Sequence, residues 1–205
     1  MKTNVVLQGD CLDVMREMED NSVDLTLTDP PYDSTTHLKC ATTSICGIAK
    51  KTGRFGDLNF DCMEDLHYIS ELLRITKRWI ILFTSIEMCG KIQAAYPEEY
   101  IRSGIWDRIS NTPQLSGDRP AQACEAIILL HNKGTKEWNG GGKAAIWRYM
   151  VERGHKQHPT QKPLKLIEHL ILDFSYEGEL IFDPFVGSGT TAEACIRTGR
   201  NYIGV

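Results

Sequence analysis

The stretch that decides the fold is Val23-Asp24-Leu25-Thr26-Leu27-Thr28-Asp29-Pro30-Pro31-Tyr32. From Val23 to Thr28 apolar residues alternate with polar ones, the two-residue period of a strand, so Asp29 falls where the strand ends. In an open α/β sheet, ligands bind at that end. Pro30 and Pro31 fix φ and remove two N–H donors, leaving a stiff loop whose carbonyls can accept hydrogen bonds. A carboxylate, carbonyls and the ring of Tyr32 converge within four residues. They suit a planar ring that carries an amino group: Asp29 and a carbonyl accept its two hydrogens while Tyr32 stacks on the ring. Taken alone, the four residues read equally well as a polar proline turn after a strand.

A related arrangement lies toward the other end. Leu180, Ile181 and Phe182 read as a strand, followed by Asp183-Pro184-Phe185-Val186-Gly187-Ser188-Gly189-Thr190-Thr191 and a helix from Thr190 to Thr198. A strand that runs into a Gly-x-Gly turn and a helix lets backbone approach a ligand closely, with helix N–H groups pointing at its anionic part. The turn lacks the three-glycine dinucleotide pattern and the P-loop lysine, which argues against NAD and ATP. It suits an amino-acid-like ligand, with a carboxylate on the helix start and an ammonium at Asp183.

Between these motifs strands and helices alternate, which implies one doubly wound sheet. Asn4 to Gln8 reads as a short strand, and Cys11 to Met18 as a helix with Leu12, Met15 and Met18 on one face. Asp61 to Lys77 reads as an amphipathic helix, Trp79 to Phe83 as a strand, and Ile86 to Tyr96 as a helix stopped by Pro97. Tyr100 to Trp106 and Ala126 to His131 form a strand pair that fits the antiparallel edge often carried by a mostly parallel sheet. Pro163 opens a helix over Leu164 to Phe174, and Tyr202 to Val205 begins a last strand. The spacing predicts a single α/β domain, 1–205, with a seven-stranded, mostly parallel sheet and an antiparallel edge hairpin. Residues 33–57 lack periodicity and are long for a loop, so they read as a lid.

With 205 residues, 41% of them hydrophobic, the chain can bury one full core. No apolar run approaches the roughly 20 residues that cross a membrane, and the N-terminus lacks a signal-peptide pattern. Seven cysteines without CxxC spacing point to reduced thiols and a cytoplasmic location. Cys40, Cys46 and Cys62, near His37, are irregularly spaced for zinc and read as free thiols in a loop, so no metal is assigned. The net charge of −4 argues globally against a nucleic-acid partner, but its distribution argues otherwise. Between Asn132 and Lys165, eight Lys and Arg face two Glu, an excess of six that leaves −10 on the remainder. A phosphate-binding face on an acidic body has this asymmetry, and so does a solvated basic loop.

Together these stretches resemble the S-adenosylmethionine-dependent DNA amino-methyltransferases, in the permuted arrangement called the beta class. The resemblance covers nearly the whole chain, and motif order is its most specific feature. Asp29-Pro30-Pro31-Tyr32 comes first, then a variable target-recognition region, then His158-Pro159-Thr160-Gln161-Lys162-Pro163, and last the glycine turn at Asp183. Gly9-Asp10-Cys11 and Gly117-Asp118-Arg119-Pro120 also match family motifs. The resemblance implies a circularly permuted Rossmann-like fold and S-adenosylmethionine as cofactor, with Asp183, Phe185, Gly187, Gly189, Thr190 and Thr191 lining its pocket. His158, Thr160 and Lys162 would help close the pocket, and Asp10 with Cys11 would flank the adenine. Asp29 belongs to the cofactor set and, with Pro30, Pro31 and Tyr32, to the catalytic set. Simpler roles stand beside these: Phe185 as core, His158 as a satisfied surface histidine, Thr190 as a helix cap. The family carries an acidic residue for the ribose hydroxyls after the strand matching Asn201 to Val205, and this sequence stops short of it: either the carboxylate of Val205 partly substitutes, or the chain is truncated or binds the cofactor weakly.

The implied reaction is transfer of a methyl group to the exocyclic amine of adenine in DNA. That amine is a poor nucleophile because its lone pair is delocalised into the ring. Asp29 and the Pro30 carbonyl, accepting its hydrogens, direct the lone pair at the methyl carbon, so catalysis is positioning and electrostatics. The base must be flipped out of double-stranded DNA, with Tyr32 replacing its lost stacking. Aspartate at the first motif position favours adenine by the resemblance. The alternatives are the amino group of cytosine, a catalytically weak DNA-binding relic motivated by the missing acidic residue, and, ranked last, a protein glutamine amide. Target recognition is placed in the lid and at 106–157, where Gly140 to Gly142 suggest an arm that orders on DNA. The resemblance also implies a restriction-modification setting with any nuclease on a separate chain, and it is compatible with a homodimer.

Overall fold

The computed structural model describes residues 2–31, 66–109, 116–151 and 161–205, and the structural statements below concern these. Eight strands form one sheet: β1 (Val5–Val6), β2 (Val23–Thr28), β3 (Thr76–Thr84), β4 (Tyr100–Asp107), β5 (Cys124–His131), β6 (Ile146–Arg148), β7 (Leu180–Asp183) and β8 (Asn201–Gly204). Their order is β1-β8-β7-β2-β3-β5-β4-β6. The first five in that order run parallel, β5 is antiparallel to both β3 and β4, and β6 lies parallel to β4.

Alternation along the central strands sends side chains to two faces. Leu25 and Leu27 of β2 and Ile81 and Phe83 of β3 share a core with Leu166, Leu170 and Ile171 of α4 (Leu164–Phe174) and Ala194 of α5 (Thr190–Thr198). Ile80 and Leu82 face the other layer, where Met15 of α1 (Cys11–Glu17) meets Ile69 and Leu72 of α2 (His67–Ile75). Apolar stripes on both sides of one sheet make the fold doubly wound, as the alternation of elements predicts. Arg74 fastens α2 to α1 by donating to carbonyls at the end of α1, Met15 O at 2.6 Å and Met18 O at 2.9 Å.

Four details differ from the sequence expectations. Thr76 and Lys77 open β3 rather than closing a helix, because buried Thr76 pairs with Val23 and its hydroxyl meets that of Thr26 at 2.7 Å. The segment from Ile86 begins as a 3-10 turn, Ile86–Met88, before α3 (Cys89–Ala95). The sheet has eight strands rather than seven, and β6 covers β4, so the antiparallel pair is not the margin. The turn at Asn139 is fastened rather than a free arm: Asn139 Nδ2 donates to Leu172 O at 2.9 Å and Ser175 O at 3.1 Å, and its N–H donates to Asp173 O at 2.7 Å. The lid at 33–57 lies outside the described residues, as do Cys40, Cys46, Cys62 and His37.

The glycine turn after β7 is stitched to the end of β8. Val205 N–H donates to Asp183 O at 3.0 Å, and Val186 N–H donates to Val205 O at 3.1 Å. Gly204 permits this approach, since a methyl group there would lie 2.8 Å from Val186 Cγ2. Gly204→Ala is therefore expected to destabilise the fold by about 1–3 kcal/mol, the usual range for overpacking. Urea unfolding checks it, and an unchanged midpoint would show that the turn yields without cost.

Candidate active site

β2 is followed in the sheet by β3 on one side, and β7 by β8 on the other, so a crevice opens between the carboxyl ends of β2 and β7. The two ends are joined directly. Thr28 Oγ1 donates to Asp183 Oδ1 at 2.7 Å, across 155 positions of sequence. The buried Asp183 carboxylate also accepts from Phe185 N–H at 3.1 Å and from the Thr191 hydroxyl. Burial pushes its pKa up to about 6, while these donors pull it down and Asp29 adds a smaller upward push. Near neutrality it is a carboxylate held ionised by its hydrogen bonds, with desolvation that an approaching cation would offset.

Gly187 and Gly189 turn the chain into α5 with φ of +51° and +85°, a left-handed backbone that favours glycine. Thr190 and Thr191 are buried in the first turn, and no side chain caps α5, so its leading N–H groups are placed for an anion. Phe185 is half-buried and meets the Tyr68 ring edge-on, with centroids 6.1 Å apart. A ligand carrying an ammonium, a carboxylate and an apolar part fits this donor and acceptor set.

Asp29 directly follows Thr28. It is half-buried, and Pro30 is buried. Lys162 Nζ donates to Asp29 Oδ2 at 2.7 Å and to Glu125 Oε2 at 2.9 Å. The lysine side chain is only 9% exposed, and its ammonium lies 5.1 Å from the Phe83 ring centroid and 5.9 Å from that of Trp106. Arg108 pairs with the other oxygen of Glu125. Arg108, Glu125, Lys162 and Asp29 thus alternate in sign and sum to zero. Burial pulls Lys162 toward its neutral form, but Asp29 and Glu125 outweigh that pull and hold its pKa above the ordinary lysine value.

The structure brings Asp29, Pro30, Pro31, Thr190, Thr191, Asp183, Phe185, Gly187 and Gly189 to the carboxyl ends of β2 and β7. Lys162, expected beside the cofactor, reaches Asp29. Asp10 caps α1, its carboxylate accepting from Leu12 N–H at 2.8 Å, and burial followed by the Asp10 charge raises the Cys11 thiol pKa. Cys11 and Phe185 border the same hydrophobic cluster, to which Tyr68 belongs. Tyr32, His158 and Thr160 lie outside the described residues. Sequence reasoning missed Thr28, Arg108 and Glu125. A charge at the head of the apolar run Cys124 to His131 is the signal that could have found Glu125.

A doubly wound sheet thus carries a carboxylate-led proline loop and a carboxylate-led glycine turn side by side at its switch point, where acceptors for a planar amine lie next to a donor and acceptor set that fits an amino-acid-like ligand. Residues 23–205 match the family N6_N4_Mtase, described as DNA methylase, and the chain belongs to it: the S-adenosylmethionine-dependent DNA amino-methyltransferases. The type II methyltransferase M.HinfI of Haemophilus influenzae is 29% identical over 98% of this chain, which spans 64% of that relative's length. M2.MboI of Moraxella bovis is 30% identical, over 98% of this chain and 81% of its own. The M1.HpyAVI–SAM complex has the same fold, with a TM-score of 0.71 at 23% identity, covering 97% of this chain and 91% of that one.

Proposed function

We propose that this chain is a site-specific DNA methyltransferase that acts on the exocyclic amino group of adenine. The observation that carries the reading is the Thr28–Asp183 hydrogen bond, which couples the target-side loop at Asp29 to the cofactor-side turn. When bound, S-adenosylmethionine supplies a sulfonium methyl group and leaves as the neutral thioether. Asp183 holds the cofactor ammonium, the start of α5 its carboxylate, and Phe185 packs against its apolar part. Asp29 and the Pro30 carbonyl accept the two hydrogens of the target amine and aim its lone pair. As the nitrogen–methyl bond forms, positive charge grows on that nitrogen, and Asp29 stabilises it before one proton departs to solvent. Tyr32 stacks on the flipped base. The choice of adenine over cytosine rests on aspartate at position 29, and residues 106–157 carry target recognition. The type II relatives support a site-specific reaction.

Incubation with unmethylated DNA and methyl-labelled S-adenosylmethionine, followed by digestion to nucleosides, tests this. Label is expected in N6-methyladenine. Label in N4-methylcytosine would keep the chemistry and overturn the base, and the absence of label would overturn the reading.

A further inference from the structure

We propose that Glu125 is a positioning residue for methyl transfer: by gripping Lys162 it holds that ammonium against the Asp29 carboxylate and keeps the acceptor fixed where the target amine arrives. The inference rests on the reading of Asp29 given above. Three observations carry it.

First, Lys162 is 9% exposed yet touches two carboxylates, Asp29 Oδ2 at 2.7 Å just past the end of β2 and Glu125 Oε2 at 2.9 Å in β5. Held by Asp29 alone, the ammonium would follow that carboxylate and compete with the incoming amine for its lone pairs. Drawn also toward β5, it fixes one oxygen of Asp29 from the side, and a carboxylate retains further accepting capacity for the substrate. Second, the Phe83 and Trp106 rings wall the ammonium in, so it has few other places to go. Third, Glu125 is itself oriented by Arg108, just beyond the end of β4. Among the described residues, the groups facing Lys162 include Asp29 just past the end of β2, Phe83 of β3, Trp106 of β4 and Glu125 of β5. Removing the Glu125 charge leaves two cations against one carboxylate beside a reaction that builds positive charge on the target nitrogen. It also removes part of what keeps Lys162 charged, so burial can then neutralise it.

The test is single-turnover methyl transfer by Glu125→Gln across alkaline pH, at saturating cofactor and DNA. The rate is expected to fall about 10–100-fold, the scale usual when an outer partner of a functional side chain is removed. The alkaline limb is expected to move to lower pH, with the S-adenosylmethionine Kd within about threefold of wild type. A purely structural role would not move that limb, and a wild-type rate with a wild-type limb would overturn the proposal. If Glu125→Gln does not fold, Glu125→Asp decides: its shorter reach is expected to lower the rate and move the limb the same way, and wild-type behaviour overturns the proposal. Heteronuclear NMR of the lysine Cε–Hε groups reads the contact without catalysis. If the wild-type chain transfers no methyl group, the functional reading fails. A Lys162 titration midpoint lowered by substitution at 125 still supports the contact, and an unchanged midpoint overturns it.

Discussion

Asp29→Ala is expected to lower methyl transfer by at least about a thousandfold while leaving S-adenosylmethionine binding within several-fold of wild type. The substitution removes the side chain proposed to accept from the target amine, whereas Asp183 and the glycine turn are untouched. The fold should survive, because Lys162 keeps Glu125 as a partner. A stability loss of about 1–3 kcal/mol is expected, below the 3–5 typical of stranding a buried charge outright. Single-turnover rates, calorimetric binding and thermal unfolding separate these effects. Turnover within tenfold of wild type would refute the role given to Asp29.

Binding of S-adenosylmethionine is expected to weaken about tenfold between pH 7 and pH 5. With its pKa pushed up to about 6, Asp183 is ionised above that pH and, in the role proposed for it, attracts the cofactor ammonium. Below it, the carboxyl is protonated and the attraction is lost. The apo fold has the opposite slope from this group: the native state binds the proton more tightly than the unfolded chain does, so its contribution to stability declines as pH rises through the interval from about 4 to 6. Asp183→Asn should bind the cofactor at least about thirtyfold more weakly at neutral pH, with little remaining pH dependence. Titration calorimetry at several pH values checks both, and a wild-type Kd that is flat across the range would remove Asp183 from the ammonium site.

The basic face read between Asn132 and Lys165 is partly neutralised in the fold. Lys143 pairs with Asp173, Arg148 with Asp107, and Lys162 is interior. Sequence counts carry charge but not its partners, which come from distant strands and helices. The elements that bound the site were legible because local signals agree there: alternation from Val23 to Thr28, proline before Leu164, and glycine on both sides of α5. β6 was not, since Ile146-Trp147-Arg148 is three residues long and owes its conformation to pairing with β4. The α2–β3 junction was misread because helix passes to strand at Thr76 without a loop, and the strand pairing that decides it is non-local. Asp29 and Asp183, which the fold brings to the carboxyl ends of neighbouring strands, were singled out through their motifs. Glu125 and Thr28 were not, because their importance lies in contacts with Lys162 and Asp183, far along the chain.

Both margins of the sheet are short. β1 has two residues and β6 has three, and Arg148 on β6 is largely exposed. An open margin offers unpaired backbone groups to other chains, and strands rich in branched aliphatic residues such as Ile80-Ile81-Leu82 or Ile127-Ile128-Leu129 are the segments most prone to stack into aggregates. Here those segments lie in β3 and β5, paired on both sides in the interior of the sheet. Among the described residues, the margins therefore present little template for runaway strand addition, and unfolding must first open the sheet before its aggregation-prone strands meet a neighbour.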